Sequence, residues 1–248
     1  MYTSPSIHST KTLSQPAKPP SKGKLYIVST PIGNLDDITF RALSILKAVS
    51  VVLSEDTRET DKVFKKYDIQ KSQLSYRDQN HERIYPKIKD LLETGQDIAL
   101  VSDSGTPIIS DPGFKLATQL IKDGFEVISI PGPSAVISAL TVSGLPTDKF
   151  TFLGFLPKSQ AQRQKLLTQF GALDSTLIIY ESPFRIDKIL SDVLNALGDR
   201  FVVVANDLTK VYEKVYRGKV IDLIDLTKNG QLKAKGEFVV LVAKEGFD

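Results

Sequence analysis

Residues 101 to 113 read VSDSGTPIISDPG and follow the apolar run Ile98-Ala99-Leu100. Two aspartates, three serines, a threonine and two glycines thus stand directly behind what the pattern predicts to be a buried strand. The first chemistry to test is phosphate binding, which needs backbone N–H groups, a helix N-terminus and usually a lysine or arginine. The stretch holds no basic residue, carries Asp103 and Asp111 instead, and contains neither G-x-G-x-x-G nor G-x-x-x-x-G-K-[ST]. Gly105 and Gly113 suit places where backbone turns sharply or approaches a ligand closely. Pro107 and Pro112 stiffen the loop and remove donors. Such a loop fits a neutral or cationic ligand bearing amide, hydroxyl or amine groups. The alternative is an acidic connection that only caps the next helix, with Asp111 at the N-cap and Pro112 at the first helical position.

A loop of this kind does chemistry only where other elements bring groups to meet it. From Lys24 onward, strand-like and helix-like stretches alternate. KLYIVST, VVLSED, DIALVSD and EVISIPG read as strands rich in Val, Ile and Leu. Helical spacing runs from about Asp37 to Ala48, over TRETDKVFKKY, over residues 81–93 with Ile84, Ile88, Leu91 and Leu92 inward, over GFKLATQLIKD and over PSAVISALTVS. This alternation predicts a mostly parallel sheet covered on both faces. GLPTDKF (144–150) marks a boundary, after which TFLGFL, TLIIYES, RFVVVANDL, YEKVYRG and GEFVVLVAK read as strands around helices SQAQRQKLLTQF, RIDKILSDVLNALG and VIDLIDLTKNG. Period-2 patterning and short connections there predict a mixed sheet with more antiparallel pairing. The expected fold class is α/β, in two α/β domains at residues 24–144 and 145–248 behind a tail at 1–23. The tail is rich in Ser, Thr, Pro and Lys, has no acid, and holds too little apolar surface to order itself.

In open α/β sheets ligands bind beyond the carboxyl ends of the strands. TPIGN (30–34), SEDTR (54–58), SDSGTP (102–107), PGPSA (131–135), YESPFR (180–185) and NDLTK (206–210) all fall at such ends. Nearly every unusual residue of the chain lies in one of these segments, which argues for one large cleft.

Composition narrows the chemistry further. The 248 residues are 41% hydrophobic and 25% charged, ordinary for a globular protein, and the net charge of +3 is compatible with a nucleic-acid partner without demanding one. The absence of cysteine excludes disulfides, zinc–thiolate sites and thiol catalysis, and two histidines leave no material for a multi-histidine metal centre, so no metal is expected. No apolar run approaches membrane-spanning length.

TPIGNLDDIT, SEDTR, VSDSGTPIISDPG, PGPSA, SGLPTDKF, GFLP, ESPFR, LTK and a terminal GEFV occur in order and at matching spacing. Together, over roughly residues 24–244, they resemble the small-subunit ribosomal RNA methyltransferases of the tetrapyrrole methylase superfamily. This sequence departs from the usual motifs at Ser104 (alanine), Phe184 (histidine), Asn206-Asp207 (Arg-Glu) and Arg77 (histidine). The resemblance implies methyl transfer from S-adenosylmethionine to the 2′-oxygen of a cytidine in the decoding region of 16S rRNA, presented on the assembled small ribosomal subunit. It also implies a cytoplasmic homodimer, with the cofactor bent into a cleft between two non-Rossmann α/β domains.

Carried over residue by residue, the resemblance brings Asp103, Ser104, Gly105, Thr106 and Ile108 to the cofactor, largely through backbone. Pro31 and Gly33 would line the cleft and Ser134 would stand near the cofactor. Tyr180, Ser182, Leu208 and Gly236 would contribute from the second domain. Ser134 reads equally as a helix cap and Gly236 as a turn residue. A ribose hydroxyl must lose its proton or have its oxyanion stabilised. Glu55, Asp56 and Glu181 are candidate bases, and Arg58 or Lys210 candidate stabilisers. Glu55-Asp56-Thr57-Arg58 reads equally as a helix start with acids at its positive end, and Glu181 with Arg185 as a salt bridge. His81, in a polar helical stretch, is expected to be solvated. RNA contact falls to Lys158, Arg163, Lys165, Arg185 and Lys188, each equally a solvated helix face. Two other readings stay open: a small-molecule tetrapyrrole methylase, and a non-catalytic module that binds a nucleoside-like ligand.

Overall fold

The strands of the first half are four-residue runs with side chains alternating between two helical layers. In the computed structural model, which describes residues 21–247, they are β1 (Leu25–Val28), β2 (Val51–Ser54), β3 (Ser72–Ser75), β4 (Ile98–Val101) and β5 (Val127–Ile130). They pair in the order β3-β2-β4-β1-β5, all parallel. Successive residues of a strand face opposite sides, and the core divides accordingly. Leu25, Leu53, Ile98 and Leu100 meet α3 (His81–Glu93) and α4 (Phe114–Lys122), while Val28, Val52, Ala99 and Val101 meet α1 (Phe40–Ala48) and α2 (Thr57–Lys66).

The second sheet is mixed, as the period-2 pattern implies. β6 (Phe150–Phe155), β7 (Thr176–Glu181), β8 (Phe201–Asn206), β9 (Lys214–Lys219) and β10 (Phe238–Val242) pair in the order β6-β7-β10-β8-β9. Only β6 and β7 run parallel. β10 sends Phe238, Val240 and Val242 into the core under α6 (Gln160–Gly171), α7 (Ile186–Leu197) and α8 (Val220–Lys228). Its alternate residues Val239 and Leu241 face the other way, against Val136, Ala139 and Leu140 of α5 (Ala135–Ser143). The last helix of the first run of elements therefore covers a face of the second sheet, and Ile32, from the loop after β1, joins the same cluster.

Several local expectations need correction. The helix placed from Asp37 begins at Phe40, because Asn34 first caps a short 3-10 turn (Leu35–Asp37) and Thr39 then accepts from Ala42 N–H (3.1 Å). β3 carries no apolar alternation to mark it in the sequence; it forms because Ser72–Ser75 extends the parallel ladder beside β2. Asp111 and Pro112 do not start α4: Gly113 is its N-cap residue, and its N–H donates to Asp78 Oδ1 (3.1 Å). His81 is not solvated. It is 2% exposed, with Nδ1 hydrogen-bonded to the Tyr76 hydroxyl (2.9 Å) and Nε2 to Gln119 Oε1 (2.7 Å), so the polar-looking start of α3 is an internal network. The tail assigned to residues 1–23 lies outside the described residues up to residue 20, and at its end Gly23 N–H donates to the Leu92 carbonyl (2.7 Å). No helix among the described residues is long and apolar enough to cross a membrane.

Arg163, expected at an RNA-facing surface, is buried under α7. Its Nε donates to Asp192 Oδ2 (2.6 Å) and its guanidinium also holds the Lys158 carbonyl (2.6 Å), while Gln160 and Gln164 satisfy Asp192 Oδ1. Lys158, Lys165 and Lys188 are exposed. Removing one partner of a buried ion pair strands the other, at a cost of about 3–5 kcal/mol. We therefore expect Arg163→Met to lower the unfolding free energy by about that amount in urea denaturation. An Arg163→Met/Asp192→Leu double variant should regain most of it. A loss below about 1 kcal/mol in the single variant would contradict a functional burial of this pair.

Candidate ligand cavity between the two sheets

The loop after β4 is fixed before any side chain acts. Thr30 N–H donates to the Gly105 carbonyl (2.8 Å) and Gly105 N–H returns to the Thr30 carbonyl (3.1 Å), an antiparallel bridge across two strand ends. Gly105 lies at φ 77°, where a side chain is strained, and an added Cβ would stand 3.3 Å from Ile32. Thr106 Oγ1 donates to the Pro133 carbonyl (3.0 Å), and Ser102 Oγ to the Ser104 carbonyl (3.2 Å). Beyond this, Ile108 (φ 78°) and Ser110 (φ 66°) are held in the left-handed region. For a β-branched residue that is a true outlier, and such strain of about 1–3 kcal/mol persists only where the surroundings enforce it.

The facing sheet shows the same feature. Asp207 (φ 50°) and Thr209 (φ 66°), just after β8, are also left-handed. Asn34 N–H donates to Thr209 Oγ1 (3.0 Å), which ties the loop after β1 to the loop after β8. Asp207 Oδ1 accepts from Glu237 N–H (3.2 Å) and pairs with Lys210 Nζ (3.1 Å), whose other partner is Glu237 Oε2 (2.7 Å). Gly236 closes the arrangement at φ 93°, where a Cβ would lie 2.1 Å from Asp207 Oδ2.

Between these pinned loops lies a cavity of about 380 Å³. That volume is of the order that holds a small organic ligand. Of the residues singled out from sequence, Ser104, Gly105, Thr106, Ser134, Tyr180, Ser182, Leu208 and Gly236 line it. Ser134 sits at the N-cap position of α5, yet its side chain makes no capping bond. Pro31, Gly33, Asp103 and Ile108 shape the surrounding loops without lining the cavity; Gly33 packs against Thr209 and Lys210. Sequence reasoning missed Ile32, Ile109, Ser110, Phe155 and Glu237, and read Asp111 as an acid of a cation-suited loop or as a helix cap without naming it a site residue. GFLP carried a signal for Phe155, and the terminal GEFV carried one for Glu237.

The candidate catalytic groups are divided. Glu55, Asp56 and Arg58 do not line the cavity but gather against Asp103, whose Oδ1 accepts from Asp56 N–H (2.9 Å). Asp56 caps α2 through Arg58 N–H (2.9 Å) and accepts Arg58 Nε (3.0 Å), which holds its carboxyl well below the usual range. Burial and the charges of Asp103 and Asp111 push Glu55 up; burial also raises Asp103. Burial, with the Asp103 charge added, brings Asp111 to about 6. Burial pushes the Tyr180 phenol to about 12. Glu181 is buried; Oε1 accepts Ser182 N–H (2.7 Å), and Oε2 faces Arg185 Nη2 at 3.2 Å without a well-aligned hydrogen bond. Among the described residues no lysine, arginine or histidine lines the cavity, whereas Asp111, Glu181 and Glu237 do. Among the described residues no cluster of three or more metal-ligating side chains exists.

Residues 24–224 match the family Tetrapyrrole (Corrin/Porphyrin) Methylases. The chain belongs to this family. Its relatives named ribosomal RNA small subunit methyltransferase I include that of Vibrio cholerae, 47% identical over 220 residues (88% of this chain, 76% of that one). That of Thermotoga maritima is 44% identical over 224 residues (90% and 100%), and that of Halalkalibacterium halodurans 44% over 225 (91% and 77%). Solved structures share the fold. Cobalt precorrin-4 methyltransferase superposes with a TM-score of 0.64 at 21% identity (89% of this chain, 94% of that chain). Uroporphyrin-III C-methyl transferase from Thermus thermophilus, complexed with S-adenyl homocysteine, does so with 0.62 at 17% (89% and 97%). The motif resemblance and the non-Rossmann α/β expectation are both borne out, and the chain is a member of a methyltransferase family.

Gly236→Ala should move Asp207, break its bond to Glu237 and loosen Lys210. With the strain of a side chain at φ 93°, urea denaturation should show a loss of about 1–3 kcal/mol. Unchanged stability would mean that the Gly236–Asp207 contact is not tight.

Proposed function

We propose that the chain transfers a methyl group from S-adenosylmethionine to the 2′-oxygen of a cytidine ribose in the decoding region of 16S rRNA, on the small ribosomal subunit. The observation that carries the reading is the lining of the cavity, which among the described residues has carboxylates, hydroxyls and backbone amides but no cationic side chain. S-adenosylmethionine supplies an activated methyl on a sulfonium cation and has an ammonium group but no phosphate. An acidic, lysine-free cavity suits that charge, and a polycarboxylate held in the same lining would be repelled. The relatives' name supports rRNA as the substrate class.

In this reading Ser104, Gly105 and Thr106 present backbone to the cofactor, with Ser134, Tyr180, Ser182, Leu208 and Gly236 opposite. Pro31, Gly33, Asp103 and Ile108 fix the loops that carry these groups. Methyl displacement depends mainly on alignment, and the two bridged strand ends supply it. Glu55, Asp56, Arg58 and Lys210 form the rim toward the RNA. There Asp56 orients Arg58, whose side chain is 85% exposed, and Lys158, Lys165 and Lys188 extend the positive surface that meets phosphates. The reading includes a boundary at 144/145 between two domains, a homodimer, and work in the cytoplasm.

Purified unmodified small subunits incubated with labelled S-adenosylmethionine should yield 2′-O-methylcytidine by nucleoside mass spectrometry, with free rRNA a poorer substrate. Gly105→Val should weaken binding of S-adenosylhomocysteine at least tenfold in calorimetry. Cofactor binding without RNA methylation would move the small-molecule or regulatory reading ahead.

A further inference from the structure

We infer that Asp111 is the general base that takes the proton of the attacking hydroxyl. The inference rests on the proposed function and goes beyond it by giving a catalytic role to a group that the sequence reading left among the loop acids or at a helix cap. Among the described residues three carboxylates line the cavity, and two of them already have a cation. Glu181 faces Arg185 (3.2 Å) and accepts Ser182 N–H; Glu237 is paired with Lys210 (2.7 Å). Each would have to give up that contact for one of its oxygens to meet a substrate hydroxyl. Asp111 has no cationic partner among the described residues. Off the cavity, Asp56 is clamped by Arg58, and Glu55 and Asp103 do not reach the lining.

The position of Asp111 is fixed by its neighbours in sequence. Left-handed Ser110 precedes it, with its hydroxyl against Gly154 of β6, and Pro112 follows. Groups that face it are Ser102 and Asp103 from its own loop, Glu55 from the end of β2, and Tyr180 from β7. Glu181 and Glu237, each with its counter-ion, share the cavity. These surroundings are negative or neutral and partly dry, so they favour a carboxylate that accepts a proton near neutrality. In the transfer the 2′-oxygen gains a bond to the methyl carbon and the carbon–sulfur bond breaks with its electron pair staying on sulfur. The hydroxyl proton passes to an Asp111 oxygen and from there to solvent.

The test compares wild type, Asp111→Asn and Asp111→Glu. In wild type the single-turnover rate on small subunits should fall as pH drops through about 6, because the base is then protonated. Asp111→Asn should lose about 10²–10⁴-fold in single-turnover rate at saturating cofactor and lose that acid limb, a loss that weaker cofactor binding does not produce under saturation. Asp111→Glu should recover part of the rate together with the limb. Independently of turnover, ¹³C-carboxyl NMR of aspartate-labelled protein should show a resonance titrating near 6 that Asp111→Asn removes. A titration at the ordinary aspartate value, or Asp111→Asn with near-normal rate or a persisting limb, would overturn the inference. Wild type that binds the cofactor but methylates no RNA would instead sink the proposed function, and this inference with it.

Discussion

Two backbone hydrogen bonds between Thr30 and Gly105 are the constraint from which the site follows. They join the chain where it leaves β1 to the loop leaving β4, so neither segment can adopt an independent course. Once that bridge is made, Thr106 reaches the Pro133 carbonyl beyond β5, and three adjacent strand ends of the parallel sheet share one rigid edge. The strained residues Ile108 and Ser110 come next in the chain. Their conformations are affordable because the loop is pinned on both sides, by the bridge before them and by Gly113 N–H on Asp78 after them. An acidic, glycine-bearing loop is thus turned into a preformed wall.

The opposite wall has a different origin. α5 follows the first sheet in sequence but covers a face of the second, burying Val136, Ala139 and Leu140 on β10 and its neighbours. Ser134 and Ala135, which begin that helix, therefore stand between the two sheets and line the cavity with both. Apolar burial thus sets the spacing of the walls, and a few polar contacts, such as Asn34 N–H on Thr209, set their register. Charge is distributed in the same economical way. Among the described residues cations lie outside the cavity or are consumed in pairs, and the lining keeps carboxylates, of which Asp111 is without a counter-ion.

Much of this was legible in the sequence because the signals are local. Apolar runs such as IALV and FVVLV declare buried strands, and the concentration of Gly, Pro and Asp behind them marks the cleft. What was not legible depends on long-range partners. The start of α3 looks solvated until Tyr76 and Gln119 arrive to satisfy His81. Arg163 looks like an RNA contact until α7 places Asp192 beside it. SQLS has no periodicity of its own and becomes a strand only through β2. SEDTR offered both a catalytic and a capping reading. Asp56 does cap α2, and Glu55 and Arg58 lie beside the cavity and not in its lining.

The central claim is that loops from both sheets close on one cofactor molecule. Hydrogen–deuterium exchange of the full chain with and without S-adenosylhomocysteine tests it most directly. The account predicts that ligand slows exchange together in residues 103–111, in 180–183 and in 205–208 and 236–238, while α8 and β9 are unaffected. Protection confined to one sheet, or none at saturating ligand, would contradict it.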